Sequence, residues 1–245
     1  DSSGNTLNLT GQLTATDIDS DASGLTFSLV DASGAATTID GLTLNSDGSF
    51  SFDPTNSAYD QLADGDSQVI TVNYQVNDGD SGTSDVQSFD ITVLGTNDAP
   101  EADYTLAGDT TIDPERIDGS GNATIAENQQ DASGNTLSLT GKLSSSDLDN
   151  NATATYSLIG AAIPGLTINS DGSWSFNPAD SAYNDLSEGE LKTITVDYSV
   201  TDDQNAVDTG SFNISLTGTN DAPEATYTTD LSVLEGATDS SGNTL

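Results

Sequence analysis

The stretch ITVNYQVND, residues 70 to 78, returns as ITVDYSVTD at residues 194 to 202. In each copy the apolar side chains alternate strictly, Ile70, Val72, Tyr74 and Val76 in the first, Ile194, Val196, Tyr198 and Val200 in the second. A period of two is that of a strand with one buried face, and no 3.6-residue period competes with it. Working outward, Phe89, Ile91 and Val93 match Phe212, Ile214 and Leu216, and Leu25, Phe27 and Leu29 match Ala154, Tyr156 and Leu158. Leu42 and Leu44 enter an Asp47-Gly48 turn and leave it through Phe50 and Phe52, which predicts a hairpin with the Asp-Gly pair supplying positive φ. SAYDQLADGD has room for one short helical turn. About seven short strands per copy, separated by Gly, Asp and Asn clusters, read as an all-β, antiparallel, Ig-like sandwich.

The repeat extends over whole units. DSSGNTLNLTG at residues 1 to 11 returns as DASGNTLSLTG at 131 to 141, and DSSGNTL stands again at 239 to 245. LTLNSDGSFSFDP and LTINSDGSWSFNP, SAYDQL and SAYNDL, and GTNDAPEA from Gly95 and again from Gly218 follow in the same order. The expected division is a first sandwich over 1–98, a second over 99–221, and the start of a third over 222–245. The first junction carries about 15 residues more than the second, an insertion near 102–124 that fits an extra turn or hairpin. The repeated marker reads as a window cut from a longer tandem array, in which the first unit lacks its own first strand and residues 224–245 carry an orphan copy of it. That predicts homotypic head-to-tail contacts through strand donation, which propagate into filaments.

The chain has 245 residues, 40 acidic against 3 basic side chains, no histidine and no cysteine, for a formal charge of -37. Arg116, Lys142 and Lys192 cannot build a groove for nucleic acid, nor a patch for anionic lipid. No apolar run approaches the roughly 20 residues of a membrane helix, so neither nucleic acid nor membrane insertion is expected. The missing His and Cys exclude thiol and Ser-His-Asp catalysis, disulfides, and zinc and haem sites. Of the acids 33 are Asp and 7 Glu, a bias toward turns and oxygen-ligand loops rather than helix faces.

Those acids recur by position. Asp17, Asp19 and Asp21 form a D-x-D-x-D run that Asp147 and Asp149 repeat, and side chains at i and i+2 of an extended loop project the same way, as a hard cation requires. Asp78 and Asp202 end the same strand in the two units. Asp64 and Asp66 become Glu188 and Glu190, an exchange that keeps oxygen ligands while discarding turn propensity. Glu127 and Glu235 each stand four residues before a marker, and Asn97-Asp98 and Asn220-Asp221 lie between units. The competing reading is that Asp supplies only turn chemistry and solubility.

TATDIDSDASGLTFSLV, the SDGSFSF hairpin, the strand ending at Asp78 and GTNDAP together resemble the VCBS and cadherin-like repeats of large bacterial surface adhesins of the RTX type. The resemblance covers most of the chain and implies calcium (Ca2+) at the junctions between successive domains. The internal junction would use Asp64 or Asp66, Asn97 and Asp98, with Asp147, Asp149 and Asp202 from the second unit. Asp17, Asp19 and Asp78 would serve the preceding junction, and Glu127, Glu188, Glu190, Asn220 and Asp221 the next. What is implied is a non-catalytic extracellular spacer in which calcium offsets self-repulsion and turns a bending linker into a stiff one, in support of adhesion or biofilm formation.

Two other readings are weighed against it. Paired carboxylates hydrolyse glycosides, but these lie in turns, recur in both units, and lack a Trp-rich cleft; Trp174 replaces Phe50 and is expected in the core. A calcium-dependent carbohydrate-binding module would bind its glycan through loops, and the asymmetric insertion at 102–124 is where such a site is expected.

Overall fold

The computed structural model describes residues 8–18, 24–80, 82–110, 112–226, 235–236 and 238–243. Six strands form the first sandwich: β1 (Leu9–Gln12), β2 (Thr26–Leu29), β3 (Leu42–Leu44), β4 (Ser49–Phe52), β5 (Ser67–Asn77) and β6 (Gln87–Leu94). Seven form the second: β7 (Ala123–Ala126), β8 (Leu139–Lys142), β9 (Thr155–Leu158), β10 (Leu166–Ile168), β11 (Ser173–Phe176), β12 (Leu191–Thr201) and β13 (Val207–Thr217). In the first, one sheet runs β1-β4-β3 and the other β2-β5-β6; in the second, the sheets run β8-β11-β10 and β9-β12-β13-β7. The alternation that defined the first-quoted strands is the alternation of burial: Ile194, Val196, Tyr198 and Val200 are buried, and Ile70 and Val72 likewise.

The two sheets of each sandwich meet over one core. Phe52 of β4 packs with Ile70 and Val72 of β5 and Ile91 and Val93 of β6. In the second sandwich Phe176 and Trp174 of β11 meet Ile194, Val196 and Tyr198 of β12 and Phe212, Ile214 and Leu216 of β13. Gly11 and Gly141 stand directly across from Phe50 and Trp174 in the β1-β4 and β8-β11 pairs. A Cβ at either would run into the ring opposite, which is why the repeated marker ends in glycine.

The β3-β4 hairpin closes where Leu44 pairs with Phe50 and the Asn45 amide donates to Ser49 at 2.9 Å. Only Gly48 adopts positive φ, at 83°, so the turn is a three-residue loop with one left-handed position. Asp47 serves differently from the expectation that the Asp-Gly pair supplies positive φ: its Oδ1 accepts from the Ser49 amide at 2.9 Å and the Ser49 hydroxyl at 2.6 Å. SAYDQLADGD forms hydrogen-bonded turns rather than a helical turn, with the Tyr59 amide donating to the Asn56 carbonyl at 2.9 Å, and a 3₁₀ turn forms only at its counterpart in the second sandwich, Ser181–Tyr183.

The extra residues of the second sandwich are spent on its core. They form 3₁₀ turns at Leu106–Gly108 and Pro114–Arg116, and Ile117 bridges to Ala123 as the chain enters β7. Leu106, Ile112, Ala123 and Ile125 are buried there. Tyr104 is buried too; its hydroxyl accepts from Trp174 Nε1 at 3.0 Å and donates to Asp109 Oδ2 at 2.8 Å. Burial and the Asp109 bond push the Tyr104 phenol well above its ordinary pKa. Among the described residues β7 is the one strand that pairs in parallel, along β13, with Ser215 opposite Thr124 and Leu216 opposite Ile125.

Candidate metal centre at the junction between the sandwiches

β6 runs out through Gly95 and Thr96 into Asn97-Asp98-Ala99-Pro100, and Glu101 then pairs with Ser146 through amide-carbonyl bonds of 2.8 and 3.0 Å. The Ala102 amide donates to Asp208 Oδ2 at 2.9 Å. The linker is therefore strapped to the second sandwich, and the Asn97 side chain and the Asp98 amide meet that sandwich's loops. Asn97 Nδ2 donates to Asp202 Oδ2 at 2.9 Å, and the Asp98 amide donates to Asp149 Oδ2 at 2.9 Å. The Asp149 amide donates to Asp147 Oδ1 at 3.0 Å. From the other side, the Asn150 amide donates to the Gln61 carbonyl at 3.0 Å, which joins the end of the first sandwich directly to the D-x-D loop of the second.

Acidic side chains gather here. Asp149 and Asp202 are 7% and 6% exposed, and the Oδ1 of Asp149 is buried with no hydrogen-bond partner. Burial raises the pKa of Asp98, and the like charges of Asp149, Asp60 and Asp147 raise it further. At Asp202 burial acts in the same sense but is outweighed by bonds from Asn97 and the Ala206 and Gln204 amides, so its carboxyl is held below the ordinary value. The donors are carboxylate and amide oxygens, the set that a hard cation such as calcium takes. As they stand, no three or more of the acidic side chains among the described residues are grouped closely enough to hold a metal ion. Several of their oxygens are spent on backbone amides instead, and an unbonded Asp149 Oδ1 and a destabilised Asp98 anion are what remains.

The structure thus brings together Asn97, Asp98, Asp147, Asp149 and Asp202 at the internal junction. Asp64 and Asp66 are exposed in the turn where the Asp66 amide donates to the Ala63 carbonyl at 2.9 Å. Asp60, from the same end of the first sandwich, is close enough to Asp98 to disfavour its anion. The signal was present in SAYDQL and SAYNDL, where Asp60 and Asn184 are oxygen donors at one position, although that motif was read only for its helical turn.

At the far end of the second sandwich Glu127 is fully buried. Its Oε2 accepts from the Thr219 amide at 3.3 Å and its Oε1 has no partner. Glu190 Oε2 accepts from the Ser187 amide at 3.0 Å, while Glu188, Asn220 and Asp221 are exposed nearby in sequence. At the other end of the first sandwich Asp78 Oδ1 caps its turn through the Asp80 and Gly82 amides, both at 2.8 Å. Asp17 and Asp78 line a groove of about 440 Å³ there with Thr14, Thr16, Leu25 and Tyr74. Asp19 lies outside the described residues.

No family model and no curated protein matches the chain. Among solved structures it is similar to Drosophila N-cadherin EC1-4 (12% identity, TM-score 0.45, 85% of this chain and 44% of that one). It is also similar to human CDH23 EC21-23 (17% identity, TM-score 0.45, 84% and 66%) and to protocadherin gamma B2 extracellular cadherin domains 3-6 (16% identity, TM-score 0.41, 87% and 48%). The chain spans less than two thirds of each, and likeness at this level assigns neither ligand nor partner. Among the described residues no helix is long and apolar enough to cross a membrane.

Proposed function

We propose that the chain is a non-catalytic extender segment of a bacterial cell-surface adhesin, divided into repeats at 1–98 and 99–221 with a third beginning at 222, and stiffened by calcium at its junctions. The observation that carries this reading is the linker: Asn97 and Asp98 are bonded to Asp202 and Asp149, beside a buried carboxylate oxygen with no partner and an Asp98 anion that burial and its neighbours disfavour. A divalent cation relieves both at once. Asp98, Asp147, Asp149 and Asp202 would hold it, with Asn97 and Asp60 at the margin. The cation supplies a cross-link between the sandwiches, and the chain's own residues set its place: the D-x-D loop presents two carboxylates, and the Glu101–Ser146 bridge fixes the linker beneath them.

Glu127, Glu188, Glu190, Asn220 and Asp221 would form the first-repeat half of the next such junction, and Asp17, Asp19 and Asp78 the second-repeat half of the preceding one. Extracellular affinities of about 10⁻⁴ to 10⁻³ M suffice for such a role. The glycan-binding alternative rested on the 102–124 insertion, whose Leu106 and Ile112 are buried in the core. Calorimetric titration of calcium into the chain and into Asp149→Asn tests the proposal. A binding isotherm that weakens about tenfold or more in the variant is the expected outcome, since removing one charged ligand forfeits at least about 1.4 kcal/mol; identical isotherms would remove the junction from the account.

A further inference from the structure

The insertion that sends Leu106 and Ile112 into the core also builds a polar cleft at the side of the second sandwich. β7 is the last strand of the sheet β9-β12-β13-β7, so its outer edge faces away from β13. Beside that edge Arg116, the final residue of the 3₁₀ turn Pro114–Arg116, lines a cleft of about 320 Å³ with Thr124, Gln129 and Thr217, flanked by Asp113 and Glu115. The volume falls at the small end of ligand clefts, roughly 300–1,000 Å³, and the lining offers hydroxyl, amide and charge with no aromatic ring.

Arg116 is the single arginine of the chain and one of three cations against 40 acids. A guanidinium in such a chain has acceptors in excess, yet among the described residues the one ion pair is Lys142 with Asp171, and Arg116 Nη1 is buried with no hydrogen-bond partner. Asp113 is held to its own turn: its Oδ1 accepts from the Glu115 amide at 3.0 Å and its carbonyl from the Arg116 amide at 2.9 Å. A desolvated, unpaired N–H on a charged group is unfavourable, and because the guanidinium charge is shared by its nitrogens, an anion in the cleft offsets it.

The surroundings select the anion. The β7 edge is closed to a partner strand, because the Ala126 amide donates to Gln129 Oε1, the Gln129 amide to the Ala126 carbonyl, and Thr124 Oγ1 to the Arg116 carbonyl, each at 3.2 Å. A peptide laid along β7 would have to break these bonds. Asp113, Glu115 and the chain's charge of -37 repel a dianion such as phosphate more strongly than a single carboxylate. A carboxylate matches the planar guanidinium through two parallel hydrogen bonds, and the amide, hydroxyl and carboxylate groups around it suit the hydroxyls of a sugar. We propose that this cleft binds a sugar of the uronic acid class, with Arg116 taking its single carboxylate and Gln129 and Thr217 its ring hydroxyls.

The motif is also asymmetric between units. Glu101-Ala102-Asp103-Tyr104 returns as Glu224-Ala225-Thr226-Tyr227, but no counterpart of Asp113-Pro114-Glu115-Arg116 follows it. The acids of the junctions recur from unit to unit, as a spacer requires, whereas a recognition site has no need to recur. None of the junction acids lines this cleft, so the site stands independently of the calcium reading.

Nitrogen-15 NMR of the 245-residue chain in chelator tests it, because a single arginine gives a single Nε–H resonance. At about 0.15 M salt the Debye length of about 8 Å screens the distant acids. Sodium glucuronate should move that resonance and the Ala126 amide saturably, with a Kd of about 1 mM, while glucose and inorganic phosphate should bind at least about tenfold more weakly. Arg116→Gln should abolish the shift at the Ala126 amide, and Arg116→Lys, which keeps the charge but not the fork, should weaken binding about tenfold or more. Trp174 fluorescence, from the core of the same sandwich, verifies that the variants remain folded. No saturation up to about 50 mM, phosphate binding as tightly as glucuronate, an Arg116→Gln chain that binds like the parent, or a shift that needs calcium overturns the proposal.

Discussion

The first and second sandwiches share their strand order and their motifs, yet among the described residues only the second carries a linker segment and a strand laid along its last strand. Ile214 and Leu216 are fully buried beneath β7, and Trp174 lies under Tyr104, whereas Phe50 and Phe89 of the first are half-open. The added elements contribute Tyr104, Leu106, Ile112, Ala123 and Ile125 to one core, with no described counterpart in the other. A repeat of this kind is complete only when the linker and strand from its N-terminal side are laid into it. The boundary of the folding unit therefore begins at the linker, and the linker is at once a structural element of one domain and the bridge to the previous one.

The largest test of that difference is in the aromatic pair. Trp174→Ala should destabilise the second sandwich by about 3–5 kcal/mol, whereas Phe50→Ala, on a half-open ring, should cost the first sandwich clearly less. Calorimetric melting of the two variants, with each sandwich giving its own transition, checks this; equal losses would mean that the openness of the first sandwich has no energetic content. Asp202→Ala should follow at about 1–3 kcal/mol, because the Ala206 and Gln204 amides and Asn97 lose an acceptor. Asp78→Ala frees only the Asp80 and Gly82 amides of an exposed turn and should cost less in the same melt.

Tyr104→Phe should lower the second transition by about 1 kcal/mol, because Trp174 Nε1 loses its acceptor while the ring stays packed. No change at all would mean that water replaces the hydroxyl at no cost.

The smallest effect is electrostatic and has an unusual sign. The Asp98 pKa is raised in the folded state, so with chelator present its ionisation penalises the fold at neutral pH. That penalty is relieved as pH falls through the raised pKa toward the ordinary 3.8, and Asp98→Asn should abolish the gain. Below about 3.8 the opposite sign takes over, since Asp202, Asp171 and Asp239 are held low by their hydrogen bonds and folding loses those contributions on protonation. Urea titrations of parent and variant between pH 7 and 4 separate the two. With calcium present the slope for Asp98 reverses, because the cation needs the anion.

Much of this was legible in the residues. Strict alternation at Ile70–Val76 and Ile194–Val200 fixes both strand and buried face, because a one-residue slip would invert every side chain. The Trp174 position in the core follows from repeated spacing, whereas the meeting of Asn97, Asp98, Asp149 and Asp202 is what the resemblance to cadherin-like repeats implied. Less legible was the part of Asp60: Asp64 and Asp66 repeat as Glu188 and Glu190, whereas Asp60, beside the packed Tyr59, acts on Asp98 through charge and repeats as Asn184. The insertion read as a surface feature because its polar residues dominate; Leu106 and Ile112, spaced too widely for any period, gave no sign that it packs inward.

Calcium-dependent stiffness is the central claim, and small-angle scattering tests it most directly. The chain is measured in excess calcium and in chelator. The account predicts a longer, straighter particle with calcium and a shorter, bent ensemble without it, and no such change in Asp149→Asn. Scattering curves that superimpose with and without calcium in the parent sequence would contradict it, and would leave the acidic loops as solvated turns.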